Sequence, residues 1–213
     1  MANLPISQLP EILGTGLTTN AEFAVAQSGT TYKVKRGNLY PYPVVYGLFS
    51  QTGNSATVSG TTSESSIVGT GIGSLSVPAN GFSVGDSFNC TMIGHLSSKN
   101  NDTLTIKVKS GSVILGQMGA ITMPQCTNQH YHLQIYFTIR AIGGAGTSSI
   151  MSGGNFTYSK DASNTFEGED FSELNNSTFD TTINNSLDIT AQWSSSDVAN
   201  SIYSEIFILN KVY

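Results

Sequence analysis

Apolar and polar residues alternate with a period of two through most of the chain from residue 44 onward. In residues 86–92, Phe88, Cys90 and Met92 fall on one side and Ser87, Asn89 and Thr91 on the other. Residues 103–109 repeat the rhythm, with Leu104, Ile106 and Val108 against Thr105, Lys107 and Lys109. Successive side chains of a strand point to opposite faces, so this pattern predicts half-buried antiparallel strands. The stretch between them, residues 98–102, is dense in Asn, Asp, Ser and Lys, which suits a tight turn and predicts a hairpin. Residues 130–141 place Leu133, Ile135, Phe137 and Ile139 on one face, and residues 187–193 do the same with Leu187, Ile189, Ala191 and Trp193. Further strands are predicted at 44–49, 65–68, 74–77, 112–117, 148–151, 155–159 and 201–212. Many short strands separated by Gly, Asn and Pro turns, with no helical periodicity, predict an all-β fold. The expected architecture is an antiparallel jelly-roll-type β-sandwich with an extended N-terminal segment.

The last predicted strand departs from simple alternation, because Ile206, Phe207, Ile208 and Leu209 are consecutive. A strand that is apolar on both faces is covered on both sides, either by a loop or by a second subunit. Tyr203, Phe207, Leu209 and Tyr213 are the candidate residues for an interface between subunits.

Residues 1–43 have a different character. The start is punctuated by Pro5 and Pro10, and two short β-prone runs, 21–26 and 31–35, flank a turn at Gln27-Ser28-Gly29, which predicts a small hairpin. So few apolar side chains cannot bury a core unaided, so the segment is expected to fold against a partner. Pro41 and Pro43 stiffen the chain after this hairpin and mark the expected boundary between residues 1–43 and 44–213.

Composition narrows the function. The 213 residues include 29 Ser, 23 Thr, 17 Asn and 22 Gly but only 11% charged residues, a neutral-polar surface rich in strand and turn formers. A net charge of −5, with no basic cluster beyond Lys33, Lys35 and Arg36, argues against nucleic acid as a partner, since that affinity rests on neutralising several phosphates. No apolar stretch approaches the ~20 residues needed to cross a bilayer, and the N-terminus lacks a basic region followed by an apolar one, so neither membrane insertion nor a secretory signal is expected. The two cysteines, Cys90 and Cys126, lie in or beside apolar runs and are expected as buried free thiols.

Chemistry is sparse. His130 and His132 are two apart on a predicted strand and so share a face, the geometry with which cupin-like enzymes hold a metal. The carboxylate expected a few residues on is missing, since Leu133, Gln134, Ile135 and Tyr136 come next. The glycine runs at 69–73 and 143–146 lack both the lysine of a phosphate-binding loop and a helix after them, and they suggest turns and bulges. Asp161, Glu167, Glu169, Asp170, Glu173 and Asp180 gather in an Asn- and Ser-rich stretch, expected as a solvated loop, with Tyr158, Phe166 and Phe171 as aromatic residues that would stack on sugars if exposed. No metal, cofactor or catalytic residue is assigned.

The motifs Ile6-Ser7-Gln8-Leu9-Pro10, Thr19–Val25 and Ser28–Val34 resemble the opening of bacteriophage fibre and virion-appendage proteins. Residues 71–88 are similar to jelly-roll domains of viral fibre, spike and decoration proteins. The resemblance implies a non-enzymatic virion protein, with residues 1–43 attached to other virion proteins through Ile6, Leu9, Pro10, Phe23, Val25 and Tyr32. It further implies a homotrimer of the distal domain, with a host-surface glycan as a candidate partner, assembled in the host cytoplasm and located on the virion. Tail fibre, short head fibre and capsid decoration remain open. The alternatives are a carbohydrate-binding receptor-recognition module and a cupin-like or glycan-degrading enzyme.

Overall fold

The computed structural model describes residues 22–27, 30–35, 46–160 and 165–213. The chain divides into two units, residues 1–44 and 45–213. In the first, β1 (Glu22–Gln27) and β2 (Thr30–Lys35) pair antiparallel, with Gln27 opposite Thr30 as their last pair. Val25 lies opposite Tyr32 in this pairing, and Phe23 is half-buried. Ile6, Leu9 and Pro10 lie outside the described residues.

The second unit begins with β3 (Tyr46–Gln51), then the short strands β4 (Val58–Ser59), β5 (Ser65–Ser66), β6 (Gly71–Gly73) and β7 (Ser76–Val77). Longer strands come next: β8 (Ser87–Ser98), β9 (Thr103–Ser110), β10 (Val113–Gln117), the two-residue β11 (Ile121–Thr122), and β12 (Cys126–Ala141). The chain then forms β13 (Ser149–Ser159), β14 (Phe166–Asn175), β15 (Asn185–Trp193) and β16 (Ser201–Lys211). Among the described residues there is no helix, and two antiparallel sheets form a β-sandwich. The larger has eight strands in the order β14-β13-β12-β8-β16-β3-β6, with β4 beside β16. The smaller has six in the order β10-β9-β15-β5, with β7 and β11 beside β15 and β9.

The alternation in the sequence explains the core. Phe88, Cys90 and Met92 of β8, Leu133, Ile135 and Phe137 of β12, and Phe207 and Leu209 of β16 point inward from the large sheet. They meet Leu104, Ile106 and Val108 of β9 and Ile189, Ala191 and Trp193 of β15. Phe49 and Phe207 pack with ring centroids 5.9 Å apart, and the Trp193 Nε1 hydrogen donates to the Val58 carbonyl, so the one indole brings its own polar atom to a partner. Residues 51–69 are tied to β16 by a buried polar network. Ser204 Oγ donates to the Ile67 carbonyl at 2.6 Å, Gln51 Nε2 donates to the Ser204 carbonyl at 3.1 Å, and the Gly69 amide donates to Gln51 Oε1 at 3.0 Å. The far turns are joined likewise, since Ser195 Oγ and Asn200 Nδ2 both donate to Asp102 Oδ2, at 2.6 and 2.7 Å.

Four sequence expectations are corrected. The hairpin expected from residues 86–92 and 103–109 does not form: β8 pairs with β12 and β16 in the large sheet and β9 with β10 and β15 in the smaller, so the turn at 98–102 carries the chain from one sheet to the other. The stretch expected as a solvated loop contains β14, a ten-residue strand at the outer border of the large sheet, paired along its length with β13. Its pattern hid it: Glu167, Glu169, Phe171 and Glu173 share one side, and Phe171 is the sole apolar residue among them. The segments 148–151 and 155–159 are one continuous strand, β13, because Gly153 and Gly154 extend rather than break it. Gly71–Gly73, expected as turn, pairs with β3, where a Cβ on Gly71 would stand 2.4 Å from the Ser50 carbonyl oxygen and one on Gly73 2.1 Å from that of Leu48. Only glycine permits so close a backbone approach.

Candidate functional site

The outward face of the large sheet carries the candidate residues. β8 lies between β12 and β16, and its register puts His95 directly opposite His130 on one side and Tyr203 on the other. The three rings form a row across the strands, with centroids 4.1 Å apart for His95 and His130 and 5.8 Å for His95 and Tyr203, the latter pair stacked at 21°. Glu205 adds a carboxylate, its Oε2 lying 3.3 Å from His95 Nδ1. Such cross-strand aromatic pairs stabilise a sheet locally and present a flat, partly wet surface.

His130 and His132 do share this face. Their neighbours differ, however: His130 packs on His95, whereas His132 stands in the next row opposite Ile93 and Thr157. Among the described residues no three His, Cys, Asp or Glu side chains converge as a metal site.

β16 explains its apolar run through a bulge. The pairing with β8 shifts between Ser204 and Ile206, leaving Glu205 as the extra residue. One inserted residue reverses which side chains face inward. Ile202 and Ser204 are buried before it, and Phe207 and Leu209 after it, while Ile206 and Ile208 turn outward at 45% and 38% exposure. Phe207 and Leu209 were candidate interface residues from the sequence. They are instead core residues of their own sandwich, and the outward positions beside Tyr203 belong to Ile206 and Ile208. Tyr213 is exposed. Ile93 in β8 and Ile72 in β6 continue the apolar character, and Tyr136 is exposed in β12.

The remaining candidates are dispersed. Tyr158 is buried, Phe171 is half-buried beneath Gly116 and Gly154, and Phe166 is exposed, so these aromatics form no common platform. Tyr158 Oη donates to Glu167 Oε2 at 2.8 Å, and Lys160 pairs with the other oxygen; the ammonium, then the phenol, hold the Glu167 carboxyl below the usual range. Asp180 caps its own turn by accepting from Thr182, which lowers its pKa too. Asp161 lies outside the described residues. The sequence did not disclose the strongest ionic cluster: Glu64 accepts from Lys107 and Lys109 at 2.6 Å each and from Thr190 at 3.0 Å across the smaller sheet. The two ammonium groups bring its pKa down to about 2. Alternation had marked both lysines as outward neighbours, two residues apart on one strand, but their shared counter-ion lies some forty residues away on a loop.

No known protein family matches the chain, and no curated protein is similar to it.

Proposed function

We propose that the chain is a virion structural protein, a short fibre, appendage or capsid-decoration component. Residues 1–43 attach it to the particle, and residues 44–213 form an outward-displayed jelly roll in a homotrimer. The observation that carries this reading is the nested pairing of the sandwich. Setting aside the hairpin β13–β14 added at the border of the large sheet and the short strands β4, β6, β7 and β11, eight strands remain, and among these the first pairs with the last (β3 with β16), the second with the seventh (β5 with β15), the third with the sixth (β8 with β12) and the fourth with the fifth (β9 with β10). Such nesting is what results when one long antiparallel hairpin is rolled into two facing sheets, an architecture used by viral capsid and lectin domains. Several functions share it, so the fibre-like motifs of residues 6–34 favour the virion.

The mechanism is geometric. A rigid sandwich holds its outer face and loops at fixed positions, and repeated copies on a particle multiply weak contacts through effective concentration. Deletion of residues 1–43 tests the proposal: the truncated protein is expected to remain folded by circular dichroism yet to be absent from purified particles. Normal incorporation would overturn it.

A second reading is supported by the Tyr203, His95 and His130 row with Tyr136 on the same face. Flat aromatic rings stack on sugars, so this surface suits a host glycan. Binding on a glycan array that Tyr203→Ala and Tyr136→Ala abolish would support it, and a flat response across host polysaccharides would remove it.

A further inference from the structure

At the end of the sandwich where β8 begins and β9 ends, the two sheets part around a cavity of about 130 Å³. Its walls are apolar: Leu115, Phe137, Ile150 and Phe179 are buried, and Leu75 and Leu187 keep some contact with solvent. Among the described residues no charged side chain lines it.

The polar atoms at its rim are already satisfied by one another. Ser110 Oγ donates to Asn185 Oδ1 at 2.9 Å, and Asn185 Nδ2 donates to the carbonyls of Asp180 and Ile183 at 2.8 and 3.0 Å. Ser76 Oγ donates to Ser186 Oγ at 3.0 Å, and Ser74 Oγ donates to the Ser76 carbonyl at 3.1 Å. A water needs two to four partners to be held in a cavity, and this one offers it apolar walls. Neither is there a cation for a carboxylate or a free acceptor for an amine.

We infer that this cavity is a binding site for a neutral apolar group, an aromatic ring or an alkyl chain of about six carbons, with any polar end left at the serine rim. Size supports the ligand class, since an apolar cavity of roughly 150 Å³ lined by Leu, Ile and Phe stays dry and takes up benzene. A route in exists as well. The wall formed by β7 is held to β15 by two residue pairs, Asn185 with Val77 and Ser186 with Ser76, by the Leu187 amide donating to the Leu75 carbonyl and by the Ser76–Ser186 hydroxyl bond, and just after it the Ala79 and Asn80 amides donate to Asn184 Oδ1 and the Thr181 carbonyl. The mouth lies beside this two-residue ladder, at the partly buried Leu75 and Leu187.

The test is a titration of the full chain with benzene and with hexan-1-ol, monitored through the methyl resonances of leucine and isoleucine. Saturable shifts confined to the leucine and isoleucine methyls that line the cavity, Leu75, Leu115, Ile150 and Leu187 among them, with a melting temperature that climbs with probe concentration, are expected. Leu115→Phe fills the space and should weaken binding at least tenfold. Should that variant fail to fold, Leu75→Trp, at the partly exposed mouth, serves the same purpose. Shifts that do not saturate, that spread over the whole sandwich, or that persist at equal strength in the filled variant would overturn the inference. So would a cavity whose methyls shift with protein concentration rather than with probe, since a second copy would then be its occupant.

Discussion

Gly94 lies directly opposite Tyr131 in the register of β8 and β12, and a Cβ on it would stand 2.9 Å from the Tyr131 ring and 2.0 Å from the Tyr203 carbonyl oxygen. The oxygen belongs to the backbone of β16 just before its bulge, so it cannot swing aside. Overpacking of this kind costs about 1–3 kcal/mol and occasionally more. Gly94→Ala is expected at or above the top of that range in urea denaturation. A loss under about 1 kcal/mol would show that the three strands do not meet as described.

The same ring gives a prediction of opposite sign. The Tyr131 hydroxyl is buried and has no hydrogen-bond partner among the described residues. Burial, then the charge of Glu205, drive its pKa upward, so it stays neutral. Because an unpaired buried polar atom is destabilising, Tyr131→Phe removes a penalty rather than an interaction. Its melting temperature should equal or exceed that of the parent protein, and a fall of several degrees would reveal a partner for the hydroxyl.

Stability should depend on acid through Glu64. Its folded pKa of about 2 lies below the ordinary 4.5, so its contribution is present above pH 4.5 and is lost as the pH falls through 2. The side chains of Glu64, Lys107 and Lys109 keep about a fifth of their surface, and solvent screening trims the gain to about 1–2 kcal/mol. Urea titrations of the parent and Glu64→Gln are expected to differ by that amount at pH 7 and to converge between pH 4.5 and 2. A difference that stays constant across this window would exclude the linkage.

The bulge at Glu205 makes a paired prediction. Ile206→Lys with Ile208→Lys changes outward positions and should alter stability by no more than about 0.5 kcal/mol each, whereas Phe207→Ala should cost about 3–5 kcal/mol. Sedimentation of the double lysine variant also addresses the proposed homotrimer, since charge on this face would disperse subunits joined through it. If the lysines unfold the protein and Phe207→Ala does not, the inward and outward assignments are reversed.

Both thiols should be inert in the folded protein. Burial pushes the Cys90 pKa up, and it raises that of Cys126 more than the contact with Ser98 lowers it, while the thiolate is the reactive form. Ellman's reagent is expected to label neither cysteine until denaturant is added, when both react. Rapid labelling under native conditions would contradict the packing of β8 and β12.

These residues also show how far alternation reaches. Where each strand has one wet face and one buried face, as in β8, β9 and β15, side-chain type reports direction. Thus Met92, Ile106 and Ile189 were legible as core from their neighbours alone. The rule fails where the chain breaks its own rhythm. At Glu205 a single extra residue exchanges the two faces, and nothing local marks it, so Phe207 and Leu209 looked available to a partner. In β14, at the border of the sheet, only Phe171 has a neighbouring layer to fill, so no apolar series was required. The histidine row was half legible. His130 and His132 could be placed on one face by counting, but the row joins His95 to His130 and to Tyr203 through pairings that span 35 and 108 residues, and those are set by register rather than by proximity in sequence.

The acidic composition of β14 governs how copies can associate. Glu167, Glu169, Asp170 and Glu173 succeed one another within ten residues that contain no lysine or arginine. A second molecule that tried to add its own β14 alongside would bring Glu169, Asp170 and Glu173 of each copy, six carboxylates besides the Lys160-paired Glu167, into one ladder, with their repulsion summed along its length. Lateral growth into a continuous ribbon is thereby suppressed at this side of the molecule.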